Sequence, residues 1–249
     1  MHIKYIIRMT IINIIFIILL YKFYGLDYYM GHVGGGDIFV SGDRKWSGSG
    51  VIVLEDRFIN NKKEVCLVVA RNISRNMYND FGGHYEKKYK RLSVNGHNEL
   101  REESCNLLSI DPSVLRKNFC DSFYNNTYYR SYFIKINGIA DKQYINNFNI
   151  LKRGGAPSTW LETDALAHIP IKNIKQRNLS VKGDIYVKDV NEKLVLLHNR
   201  VRQCIDAGYT TMLDVATGKP CADARLDGSI NTSSTFRRGT FTIKKSLSE

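Results

Sequence analysis

The sequence predicts an α/β domain, and three observations carry that prediction. Two β-branched apolar runs, Gly50–Glu55 and Val65–Ala70, have the length and composition of paired strands. A helical pattern follows from Val94 to Ser104, and a second runs from Val190 to Ala207 with Leu194, Leu197, Val201, Cys204 and Ile205 apolar. Between them, Tyr128–Ile136 alternates as a third strand.

Taken in chain order, the N-terminus stands apart from the rest. Met9 to Tyr21 is thirteen residues without a charge, bounded by Arg8 and Lys22. A full membrane span needs roughly 20 apolar residues, which the run approaches when Ile6 and Ile7 join it and Arg8 snorkels. An uncleaved anchor over residues 5–24 is the favoured reading, a cleaved signal the second and a soluble hydrophobic helix the third. The glycines of 31–36 then read as a linker. The expected organisation is a hydrophobic segment over 1–25, a linker over 26–43, a folded domain over 44–215 and an irregular basic tail over 216–249.

Within the body, the polar segment Asp56–Glu64 is expected to be the loop joining the first two strands. Ser93 is the expected N-cap of the first helix, whose first turn Gly96 weakens. Asn137-Gly138 closes the third strand, Ile139–Arg153 reads as an insertion, and Thr159–Asp164 as a short strand running into a turn. Gly208 ends the second helix.

A length of 249 residues leaves room for one sizeable core. With 36 Lys+Arg against 24 Asp+Glu, the net charge of +12 favours a polyanionic partner such as nucleic acid, nucleotide or acidic lipid. A basic solvated surface would carry the same balance. Five cysteines without a CxxC pair supply neither a disulfide framework nor a zinc motif.

Against that positive background, three carboxylates gather at Glu99, Glu102 and Glu103, shortly after Gly82-Gly83. On a helix these positions share one face, where like charges repel unless a hard cation neutralises them. All-oxygen ligation suits Mg²⁺ or Mn²⁺, which bind through a few carboxylates plus substrate phosphates. Taken alone, an E-x-x-E-E run is the pattern of a solvated helical face. The preceding glycine pair, which permits close backbone approach, adds the metal-phosphate alternative.

The segments GGHYE and ELREES resemble the signature of the Nudix hydrolases, a loop-helix-loop with a glycine, a glutamate and a paired-glutamate core. Glu99, Leu100, Glu102 and Glu103 fall on the family's glutamate, apolar and paired-glutamate positions. The strands SGVIVLE and VCLVVARN resemble its lead-in and WLETDAL a following segment, so the resemblance covers about residues 48 to 208. Asn98 departs from the family's arginine, Tyr89 from an acid, Cys105 from a later glycine and Asn106 from an apolar residue, and the spacing after Gly83 is one residue longer.

The resemblance implies an α/β/α sandwich around a mixed sheet, and hydrolysis of a phosphoanhydride in a nucleoside diphosphate-X substrate. It implies Mg²⁺ or Mn²⁺ on Glu102 and Glu103, with Glu99 as ligand or general base and the Gly82 carbonyl completing the shell. Glu162 is the candidate further acid and Asp164 its rival. Nucleotides, dinucleotides, inositol pyrophosphates and capped RNA are the substrates compatible with it, with Trp160 a candidate stacking surface. The alternatives are a Nudix-like module that binds nucleotide or RNA without turnover, and a membrane-tethered interaction protein.

Overall fold

The computed structural model describes residues 45–124, 126–175, 183–221 and 225–226. The expected N-terminal segment 1–25, the linker 26–43 and most of the basic tail lie outside them. Among the described residues no helix is long and apolar enough to cross a membrane.

The elements run β1 (Trp46–Ile59), β2 (Lys62–Asn72), β3 (Met77–Asn79), β4 (Phe81–His84), α1 (Leu92–Glu103), β5 (Leu108–Ser109), α2 (Pro112–Leu115), β6 (Phe119–Tyr124) and β7 (Thr127–Ile136). They continue with α3 (Asp141–Arg153), a 3₁₀ turn (Ser158–Leu161), β8 (Thr163–Pro170), α4 (Ile171–Lys175), β9 (Ile185–Lys188), β10 (Leu194–Leu197), α5 (Asn199–Ala207) and α6 (Tyr209–Thr217). A two-residue strand, β11 (Arg225–Leu226), pairs with β5.

Among the described residues, nine strands form one mixed sheet ordered β6-β7-β1-β2-β3-β10-β9, with β4 on β1 and β8 on β2. β1 is its axis. It pairs parallel with β7 along most of its length, antiparallel with β4 from Gly48 to Val51, and antiparallel with β2 from Val53 onward.

Alternation along β1 divides the core. Val51 and Val53 face one side with Leu92 and Leu100 of α1 and Tyr144 and Leu151 of α3. Ile52 and Leu54 face the other with Val201, Cys204 and Ile205 of α5 and Met212 of α6. Helices therefore cover both faces of a mixed sheet, which is why the strands read as continuous apolar runs.

Several local expectations need correction. Asp56–Glu64 is not a loop: β1 and β2 run through it and turn only at Asn60-Asn61, whose φ values of 50° and 62° suit a two-residue hairpin turn. Its polar residues lie on a partly exposed extension of the ladder, so composition concealed the pairing.

Ile139–Arg153 is no insertion, since α3 drives Tyr144, Asn147 and Leu151 into the core. The segment 159–164 begins as the 3₁₀ turn, and β8 starts only at Thr163. The helix expected from Val190 starts at Asn199; Leu194–Leu197 is a strand paired with β9, and the His198 imidazole caps α5 by accepting from the Arg200 amide at 3.1 Å. Short alternating apolar segments satisfy both periods, and the β9 partner decided this one. Gly208 does end α5, but α6 follows at once. A Cβ there would lie 2.3 Å from Phe133 Cζ, so the glycine permits close packing against the sheet.

α1 matches its expected span within two residues at each end. Its N-cap is Arg91 rather than Ser93, which lies buried within the first turn.

Candidate functional site

Hydrogen bonds tie α1 to β1 and to the loop that precedes it. Ser49 Oγ on β1 donates to the Leu92 carbonyl at 2.8 Å. The Asn95 side chain donates to Ser49 Oγ at 3.2 Å and accepts from the Glu86 amide at 3.0 Å. At the other end of α1, the Glu103 carbonyl accepts from Tyr144 Oη at 3.1 Å and from Thr163 Oγ1 at 2.8 Å. The chain then leaves through Cys105 and Asn106, both left-handed, with φ of 53° and 60°. Arg101 donates to the Asn106 side-chain oxygen at 3.0 and 3.2 Å, which steadies a turn where glycine would adopt that conformation without cost.

The two glycines have different reasons. A Cβ on Gly82 would sit 2.1 Å from Tyr129 Oη and 2.5 Å from the Gly50 Cα, so Gly82 is needed for the approach of β4 to β1 and β7. A Cβ on Gly83 would sit 2.5 Å from the Glu99 carboxylate, so Gly83 makes room for that acid.

The three α1 glutamates are not equivalent. Glu103 is 6% exposed and turns inward, where its Oε2 accepts from the Gly82 amide at 2.6 Å. Burial pushes its carboxyl well above the usual range, with Glu99 and Asp80 adding to that effect; the Arg200 charge and the Gly82 amide oppose it.

Glu99 is half-buried, and among the described residues no hydrogen bond or ion pair engages its carboxylate. Burial and then the Glu102 charge push it up to about 8; Glu86 and Glu162 act in the same direction and Arg200 against it. Glu102 is also raised, first by burial and further by Glu86 and Glu162, while Thr159 and Lys88 lower it. Glu99 and Glu102 therefore sense one set of neighbouring acids.

Glu162 is exposed just after the 3₁₀ turn, near enough to both glutamates for its charge to be felt. Its rival Asp164 is taken by Arg71, which grips it through two bonds of 2.8 and 2.9 Å. Glu86 stands in GGHYE at a spacing that matches no expected ligand; it pairs with Lys88 at 2.5 Å, and its charge still reaches Glu99 and Glu102. Asn98 donates to the Val94 carbonyl at 2.8 Å within its own helix. Trp160 packs partly buried on the core with the Arg101 guanidinium 6.0 Å from its ring.

The largest addition is Arg200, at the start of α5. Its Nε donates to Asp80 Oδ1 at 2.9 Å, its Nη2 donates to the Gly82 carbonyl at 2.8 Å, and its guanidinium lies 5.0 Å from the Tyr129 ring. Tyr129 Oη donates to the other Asp80 oxygen at 2.9 Å. Gly82 thus accepts from Arg200 and donates to Glu103. Arg200 had no readable signal in sequence, being 118 residues from Gly82.

Among the described residues no three His, Cys, Asp or Glu side chains converge in a geometry that would hold a metal ion. The oxygen-donor set still fits a magnesium-like ion in its more usual mode, one or two carboxylates plus substrate phosphates. Glu99, unpaired among the described residues and with its acidity suppressed by burial and then by neighbouring negative charge, is the donor that a cation would relieve.

No protein-family model matches the chain, and no curated protein sequence matches it. Among solved structures it is similar to a mutT/nudix family protein from Listeria innocua, with TM-score 0.38 and 10% identity over 69% of this chain and 97% of that one. It is similar to a MutT/nudix family protein from Enterococcus faecalis at TM-score 0.38 and 11% identity, covering 70% and 65% of the two chains. It is also similar to a C. elegans Ap4A hydrolase in a binary complex at TM-score 0.29 and 13% identity, covering 37% and 67%. Likeness at this level bears on neither activity nor substrate.

Proposed function

We propose that this chain hydrolyses a phosphoanhydride bond in a nucleoside diphosphate-linked substrate, with Mg²⁺ or Mn²⁺ held by Glu99 and Glu102. The observation that supports it is the Glu99 carboxylate: half-buried, unpaired among the described residues, set over Gly83 and pushed up to about 8 by burial and by Glu102. A chain gathers uncompensated acids only at a cost, which a bound cation removes. When bound, the ion would polarise phosphoryl oxygens and lower the pKa of a water.

The chain's own residues supply the remaining roles. Glu103 fixes the Gly82 peptide and so the floor of the site. Lys87, Lys88, Lys90 and Arg91 lie on the loop between β4 and α1, with Lys88 paired to Glu86 at 2.5 Å, so the loop carries net positive charge that would attract a polyphosphate. Glu162 is near enough for its charge to raise both Glu99 and Glu102, and Glu99 can serve as ligand or as base to an attacking water.

A second reading, a module that binds nucleotide without turnover, draws on Asn98, which is committed to its own helix and among the described residues orients no glutamate. Incubation of the full chain with Mn²⁺ and a panel of nucleoside diphosphate-linked compounds, dinucleotides and capped RNA separates the two. Phosphate release that requires metal and disappears in Glu99→Gln supports the hydrolase. Binding without release supports the module.

A further inference from the structure

Arg200 bears on how many ions the site can take. Three contacts lock its side chain, which is 27% exposed: Asp80 at 2.9 Å, the Gly82 carbonyl at 2.8 Å and the face of Tyr129. Asp80 is itself fully buried and pinned by Tyr129 Oη. The Gly82 carbonyl and Glu103 are the two oxygen donors on the inner side of the site. The first already accepts from a guanidinium, and the second accepts from the Gly82 amide while sensing the Arg200 charge.

We infer that Arg200 fills the inner half of the acidic site as a built-in cation, so that the chain binds a single divalent ion, on Glu99 and Glu102, and none on Gly82 or Glu103. This rests on the metal reading of the site. A divalent ion approaching the Gly82 carbonyl would meet a guanidinium already on that oxygen, and like charges at such a separation repel. Arginine is suited to the position because it stays charged at every working pH and its planar fork reaches two acceptors at once. Glu103 is then a positioning residue, which shapes the turn through the Gly82 amide without touching metal.

Mn²⁺ titration of the full chain, followed by electron paramagnetic resonance, counts the ions directly. One ion is expected in the wild type. Glu99→Gln should weaken it by at least about tenfold, and Glu103→Gln should leave affinity close to wild type. Arg200→Gln combined with Asp80→Asn removes the buried charge pair together and should admit a second ion.

Two tight ions in the wild type would overturn the inference, as would a Glu103→Gln loss equal to that of Glu99→Gln. A folded double variant that still binds one ion with unchanged affinity would also overturn it. If that variant does not fold, the wild-type count and the two glutamate variants decide. No binding by the wild type would overturn the metal reading itself, whereas binding of two ions would leave that reading standing.

Discussion

A Cβ on Gly83 would lie 2.5 Å from the Glu99 carboxylate, so the glycine of β4 makes room for an acid of α1. The atoms met are the far end of a flexible side chain, so the carboxylate can move aside. Gly83→Ala should therefore leave the melting temperature nearly unchanged while displacing Glu99. A displacement near 1 Å at a reacting centre costs on the order of 10²-fold in rate. Mn²⁺ affinity and turnover, measured beside a thermal melt, test this. A large fall in melting temperature would mean that the backbone, not Glu99, absorbs the clash.

The inward and outward glutamates should separate in kinetics. Glu99→Gln and Glu102→Gln should each lower turnover by on the order of 10², since each removes charge where phosphoryl negative charge is stabilised. Glu103→Gln keeps an oxygen to accept the Gly82 amide and should cost less. Glu103→Ala leaves that buried amide unpaired, a loss of about 1–3 kcal/mol that denaturant unfolding would read. Equal kinetic losses in all three Gln variants would mean that Glu103 also meets the ion.

Without metal, the site should oppose folding as pH rises. The Glu99 carboxyl is raised to about 8, first by burial and then by the Glu102 charge. An unfolded glutamate releases its proton near 4.3, so between these values the folded state binds more protons. Stability then falls with rising pH across that window and levels above it. Melts in EDTA from pH 5 to 9 should show the decline. Glu99→Gln should make it shallower, and millimolar Mn²⁺ should reduce it, since an ion that binds only the native cluster stabilises by mass action.

A second titrating cluster, remote from these acids, should act in an identifiable window. His168 is 2% exposed; its Nε2 lies 2.6 Å from Asp141 Oδ1, and its Nδ1 makes an ion-pair contact of 2.5 Å with Glu55 that lacks hydrogen-bond alignment. Burial alone would lower its pKa, but Asp141 and Glu55 outweigh it and the group is raised, with Arg57 acting against them. A raised histidine contributes stability that is fully present below the unfolded value near 6.5 and is lost as pH rises through the folded value. His168→Gln should cost about 3 kcal/mol at acid pH, the scale of breaking a buried pair, and less at alkaline pH. Chemical unfolding at pH 5.5 and 9 reads the difference, and an equal loss at both would refute the charged pair.

The strands and α1 were legible from the chain because their information is local. Alternation in Gly50–Glu55 and Val65–Ala70, and the i, i+3, i+4 placement of Glu99, Glu102 and Glu103, depend on residues a few positions apart. The same locality explains the failures. Leu194–Leu197 fits a helix or a strand equally, and β9 settled it; Ile139–Arg153 became α3 once Tyr144 and Leu151 had a sheet to cover.

The site shows the division most clearly. Sequence by itself determined which acids share a helical face and that two glycines precede them. Only the tertiary structure decided that Glu103 turns inward, that Asp164 belongs to Arg71, and that Glu86 and Arg200 join the site. Arg200 meets Asp80 across 120 residues, and no local period encodes such a meeting. It arises when α5 packs beneath the sheet, and burial then makes each unpaired charge costly enough to select its partner.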